Sequence, residues 1–277
     1  MRIVITGSSS GIGHALAERL LAHGHQVWGL ARTDQSEFAV THAGRFRATR
    51  CDVAAWEQIS EAARETVASW PAIDGLVTCA GVQGAMGRAA TADPREWSAT
   101  VRTNLDGTYF AIRAFHEALR RAPRRAKIVC FSGGGASKGR PNFSAYAAAK
   151  TAVVRLVETI AEEERGAALD INAVAPGAIT TRMTEAILAA GSAAAGEAEY
   201  DAATRQKQQA DGAALERALD LVEWLLSPAS DGISGRLISA VWDPWPSLGR
   251  HKDELVSSDI YALRRILPGD RGKHWAL

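Results

Sequence analysis

Residues 1–23 read MRIVITGSSSGIGHALAERLLAH, and the stretch Thr6–Gly13, TGSSSGIG, decides the fold. Arg2–Ile5 before it is a short β-branched run of the kind that forms a strand, and Gly13–His23 after it carries helical periodicity. Glycines at 7, 11 and 13 allow a tight turn and let the backbone approach a pyrophosphate. The helix behind them offers unpaired N–H groups and a partial positive charge. A Gly/Ser loop is ordinary by itself. At the first strand–helix junction it reads as a phosphate cradle made of Gly7, Ser9, Ser10, Gly11, Ile12 and Gly13.

The alternation continues outward from this stretch. Strand-like runs fall at Gln26–Leu30, Phe46–Arg50, Gly75–Thr78, Lys127–Phe131, Asp170–Val174 and Arg236–Ser239. Helical patterns fit between them at Ala55–Ser69, Pro94–Ala122, Ala145–Gly166 and Ala213–Leu226. Runs such as KIVCF do not alternate polar with apolar, which marks strands covered on both faces. The expectation is an α/β fold: one Rossmann-type domain, a doubly wound parallel sheet with helices on both faces. Residues 1–242 would form the dinucleotide-binding domain. The Ala-, Gly- and Gln-rich stretch 183–212 reads as an insertion, either two short helices or a mobile lid. Residues 243–277 leave the pattern and are expected to pack as a tail on the body or on a neighbouring subunit.

Composition narrows the function. With 47% apolar residues the 277-residue chain can bury a large core, and a net charge of +1 gives no reason to expect nucleic acid or an anionic membrane as partner. No apolar run approaches the roughly 18–20 residues of a membrane span, and a strand opens the chain where a signal peptide would stand, so a cytoplasmic protein is expected. Cys51, Cys79 and Cys130 sit in or beside strands and read as small buried residues. Seven scattered histidines, with no converging carboxylates or thiols, predict no metal site.

Residues 130–150 read CFSGGGASKGRPNFSAYAAAK. Tyr146 and Lys150 stand four apart, on one face of a helix. A lysine ammonium beside a phenol lowers the phenol's pKa and makes it an acid/base group.

These motifs together resemble the short-chain dehydrogenase/reductase family over residues 1 to about 240. The loop spacing G-x-x-x-G-x-G, CDV at Cys51–Val53, CAG at Cys79–Gly81, Asn104 in VRTNLDG, the Tyr146/Lys150 pair and PGAITT at Pro176–Thr181 occur in the family's order. The resemblance implies that Asp52 and Val53 contact adenine, and that Ala80 and Gly81 form a turn against the cofactor. It implies that Pro176, Gly177, Ile179 and Thr181 hold the carboxamide. Tyr146 would transfer the proton, Lys150 would bond the ribose, and Asn104 would anchor a water. At the end of the second strand the position that selects the dinucleotide is Ala31, followed by Arg32 and Thr33. A small residue leaves room and a guanidinium binds phosphate bidentately, so NADP(H) is expected over NAD(H).

Two departures stand out. Cys79 replaces the family's asparagine, and Gly133 occupies the position of its serine, thirteen residues before the tyrosine. Ser132, one residue earlier, is the expected substitute, brought into register by the flexible glycines, with Ser137, Asn142, Ser144, a substrate hydroxyl or a water as the alternatives. The expected activity is NADP-dependent interconversion of a secondary alcohol and a ketone, on a small molecule that is sugar-like or nucleotide-linked; Trp242 and Trp245 read first as packing of the tail, with stacking on a sugar or base ring as the alternative. Epimerisation with retained cofactor, or a catalytically silent NADP-binding sensor, are the alternatives. A homodimer or homotetramer is expected from the family's helix pairing and from an apolar stripe at Ala149, Val153, Leu156 and Ile160.

Overall fold

The computed structural model describes residues 1–209 and 212–275. Its centre is a seven-stranded sheet: β1 (Arg2–Thr6), β2 (Gln26–Ala31), β3 (Phe46–Arg50), β4 (Gly75–Thr78), β5 (Ala126–Phe131), β6 (Leu169–Ala175) and β7 (Leu237–Ser239). The order is β3-β2-β1-β4-β5-β6-β7, every pairing parallel. Successive side chains leave a strand on opposite faces. In β1, Ile3 and Ile5 therefore enter one apolar cluster and Val4 the other.

Helices cover both faces. On one side lie α3 (Trp56–Ser69), α5 (Gly107–Arg120) and α6 (Ser144–Glu163), packed through Ile59, Phe115 and Val153. On the other lie α1 (Gly11–Ala22) and α9 (Ala213–Leu226), packed through Leu16 and Val222. A one-turn helix that the pattern did not predict, α2 (Ser36–Thr41), sits between β2 and β3. Leu248 and Leu255 of the C-terminal tail bury themselves in the second cluster, and Arg236 donates to the carbonyls of Leu255, Ser258 and Ile260.

Two expectations change, and for the 183–212 stretch the first of its two alternatives, a pair of short helices, is the one the structure shows. The helix read as Pro94–Ala122 is α4 (Pro94–Val101), a π-helical turn at Arg102–Asp106, and α5. Periodicity cannot reveal one wide turn inside a helix. The 183–212 stretch is helical: α7 (Arg182–Ala195) and α8 (Glu197–Gln208), with left-handed glycines at 191 and 196 breaking the run. Positions 210 and 211 of that stretch, and 276 and 277 of the tail, lie outside the described residues. Finally, Ala149, Val153 and Ile160 are buried within the chain, and Val153, Ile160 and the partly buried Leu156 pack in the cluster against the sheet, so the α6 stripe by itself does not call for a partner.

Candidate active site

The strand order reverses between β1 and β4, and ligands of open α/β sheets lie beyond the carboxyl ends of the strands at such a point. A cavity of about 410 Å³ opens there. Gly7, Ser9, Ser10, Gly11, Ile12 and Gly13 line one side, Ala31, Arg32, Thr33, Asp52 and Val53 a second, and Ala80, Gly81 and Thr181 a third. The loop fits a pyrophosphate because it has been emptied of side chains. A Cβ on Gly13 would stand 2.4 Å from the Gly7 carbonyl oxygen, so only glycine lets the loop fold this closely onto α1. Ser10 ends the loop without a side-chain capping bond, leaving the first α1 amides to face the cavity.

The last residue of β2 is Ala31 rather than a carboxylate. Ala31 is buried there, Arg32 and Thr33 are exposed at the rim, and Arg50 pairs in register with Ala31 while its Nε donates to the Arg32 carbonyl. Arg50 escaped sequence reading because it sits on the adjacent strand, and only the β2–β3 register brings it beside Arg32.

Asn104 lies in the π-helical turn and is wholly buried. Its Nδ2 donates to the carbonyls of Val82 (2.9 Å) and Thr100 (2.9 Å), and its Oδ1 accepts the Val82 N–H (3.2 Å). One amide hydrogen and the amide oxygen therefore clamp Val82 in the loop after β4, and the other hydrogen ties back to α4. The wide turn aims the side chain at that loop, and the clamp holds Gly81 and its neighbours against the cavity.

Lys150 is buried, donates to the Phe131 carbonyl at 2.9 Å, and lies 3.6 Å from where a Cβ on Gly81 would project. Burial pushes its pKa down to about 8. Its Nζ is 5.8 Å from the Tyr146 ring centre. Tyr146 is also buried; burial raises its phenol, and the Arg140 charge lowers it.

Ser132 does not face the phenol. Its hydroxyl donates to the Lys150 carbonyl at 3.2 Å, since successive residues at a strand end point to opposite sides. Gly133 does face it: a Cβ there would stand 2.5 Å from the Tyr146 hydroxyl. Cys79 lines the cavity, and burial drives its thiol far above the ordinary range. Of the 176–181 loop, Thr181 reaches the cavity and caps α7, whereas Pro176, Gly177 and Ile179 do not line it. Val82, Gln83, Thr103, Met183 and Ala186 line the cavity without having been expected. They come from a loop, a π turn and the α7 insertion, none of which carries a spacing signal.

Around Tyr146 the wall is apolar. Phe143, Tyr146, Ile187, Ala195 and Ala203 form one buried cluster, with Met86, Met183 and Leu188 against it. Trp242 is 85% exposed, and Trp245 packs on Trp224 with its indole N–H on the Ala240 carbonyl. Neither lines the cavity. Among the described residues no group of three His, Cys, Asp or Glu side chains could hold a metal ion, and no helix is long and apolar enough to cross a membrane.

Residues 1–191 match the family model described as short chain dehydrogenase. The chain is 34% identical over 187 residues to the short-chain reductase protein NovJ of Streptomyces niveus, covering 66% of this chain and 70% of that protein. It is 28% identical over 276 residues to the short chain dehydrogenase citE of Monascus ruber, covering 96% and 88%. The solved aldohexose dehydrogenase of Thermoplasma acidophilum superposes with a TM-score of 0.73 at 25% identity, covering 86% of this chain and 91% of that one. A short chain dehydrogenase/reductase of Saccharomyces cerevisiae shares the fold with a TM-score of 0.80 at 23% identity, covering 89% and 98%. A match that runs through the phosphate loop, the Asn104 clamp and the Tyr146/Lys150 pair leaves one conclusion: the chain belongs to the short-chain dehydrogenase family.

Proposed function

We propose that the protein is an NADP(H)-dependent oxidoreductase that interconverts a ketone and a secondary alcohol, with Tyr146 as the proton-transfer group. The observation that carries this reading is the meeting of two features at Gly81: the emptied phosphate cavity is lined by it, and Lys150 reaches the same point from α6. A dinucleotide with its phosphates at Gly7–Gly13 would end at that meeting point. When bound, the reduced cofactor supplies a hydride to the carbonyl carbon. Tyr146 donates the phenolic proton to the carbonyl oxygen, giving the alcohol and a phenolate that solvent reprotonates. Lys150, poised near neutrality by burial, positions the ribose and relays that proton. Asn104 acts by holding the 81–84 loop, and Asp52 and Val53 bound the adenine end.

The substrate reading shifts with the wall around Tyr146. Methionine, isoleucine, leucine and phenylalanine side chains favour a ketone on an apolar body over a sugar or nucleotide. The test is to mix the purified protein with NADPH and a panel running from alkyl and aryl ketones to keto-sugars, and to follow the nicotinamide absorbance. Apolar ketones should be reduced fastest. Oxidation driven only by keto-sugars would overturn the substrate class, and tight NADPH binding without turnover across the panel would overturn the activity.

Selectivity for the 2′-phosphate rests on Arg32, with Arg50 beside it and no carboxylate at Ala31. A charge-assisted phosphate contact contributes about 1.5–3 kcal/mol. Arg32→Ala is therefore expected to weaken NADPH at least about tenfold more than NADH, read by titrating each nucleotide into the variant. Equal losses for both would remove Arg32 from that role.

A further inference from the structure

The phenol of Tyr146 has glycine where a hydrogen-bonding serine would stand, and Ser132 is turned away to the Lys150 backbone. The opposite side of the same loop is occupied by a charge. Arg140 lies with its guanidinium carbon 5.5 Å from the Tyr146 ring centre and 4.0 Å from that of Phe143. A side chain added at Gly134 would meet the same guanidinium at 4.0 Å. Its aim is fixed from α8, where both Glu199 oxygens accept from it, Nε at 2.9 Å and Nη2 at 2.7 Å. The arginine side chain is 14% exposed and the carboxylate 32%, so the pair is sheltered but not sealed.

We propose that Arg140, oriented by Glu199, is the positioning residue that replaces the missing serine: a guanidinium held against the Tyr146 ring that stabilises negative charge on the phenol. The inference rests on the reading of Tyr146 as the proton-transfer group. A cation near a ring face interacts more strongly with a phenolate than with a neutral phenol, because the ionised ring carries more negative density. A bidentate Arg–carboxylate pair fits this role because its planar fork is pre-organised. Gly133 completes the arrangement by letting the phenol oxygen sit directly on the loop backbone. The charged and titratable groups facing Tyr146 are Arg140 from its own loop, Lys150 from α6, and Glu199 through Arg140 from α8; the α7 face presents Ile187 and Met183. Burial raises the phenol, and Arg140 is the charge that opposes it.

Because Glu199 offsets part of the arginine's charge, the two partners should act with opposite signs. Arg140→Gln removes the cation and moves phenol ionisation to higher pH; Glu199→Gln leaves the cation unopposed and moves it to lower pH. The readout is the ultraviolet phenolate band, titrated in the protein with NADP and taken as the difference from the same variant carrying Tyr146→Phe, which isolates this tyrosine and needs no substrate. Shifts of about one pH unit in opposite directions are expected. Coincident titrations, or shifts of the same sign in both variants, would overturn the inference and leave the pair a mere tie between α8 and the loop. Should Arg140→Gln fail to fold, the downward shift in Glu199→Gln still decides the sign. Failure of the underlying reading is separate: it would show as retained turnover in Tyr146→Phe, whatever the titrations give.

Discussion

Tyr146→Phe is expected to lower ketone reduction by about 10²–10⁴-fold, the range general acid/base groups supply, while NADPH affinity stays within a few fold. The asymmetry follows from the geometry. The phosphate cradle lies on β1 and α1, and the tyrosine lies on α6 beyond Gly81, so removing one oxygen leaves the cavity walls intact. The ring stays packed among Phe143, Ile187 and Met183, which protects the fold. Steady-state turnover and a direct NADPH titration on the same preparation check both halves. Activity within about tenfold of the parent would require another proton donor, and Ser132, committed to the Lys150 carbonyl, is not placed to be one.

The second large effect concerns stability, at the opposite end of the sheet from the cavity. Lys127 on β5 is 2% exposed, and its Nζ donates to Asp170 on β6 at 2.8 Å and to Ser230 at 3.1 Å, with Asp231 at 2.7 Å. Asp170, equally buried, also accepts from the Gly232 N–H and from Arg125. Every partner is matched, so the net contribution of the pair is modest. Breaking it is costly, because the buried Asp170 carboxylate loses its central cation away from water. Lys127→Met is expected to cost about 3–5 kcal/mol, seen as a fall in the urea midpoint with an unchanged slope. A loss below about 1 kcal/mol would mean that Arg125 and solvent reach Asp170 well enough to replace the lysine.

Sequence alone determined the parts of this protein that depend on local chain geometry. The βα alternation reads as a parallel sheet because strands covered on both faces must be apolar at consecutive positions, and all seven strands match the expected limits to within one residue at each end. The phosphate loop is legible because glycine is demanded by the backbone itself. The Tyr146/Lys150 pair is legible because helical spacing places both on one face. What lies between elements distant in sequence was decided by tertiary structure. The π turn at Asn104 leaves no periodic trace, yet it aims the amide that clamps the loop after β4. Ser132 and Gly133 differ by one strand position, and only the packed strand end shows which of them meets the phenol. The stripe on α6 is equally apolar whether a partner or its own sheet covers it, and the fold supplies the sheet. Arg140 and Glu199 stand 59 residues apart and match no motif. Their pairing, and with it the charge beside Tyr146, exists only because α8 folds back over the loop that lost its serine.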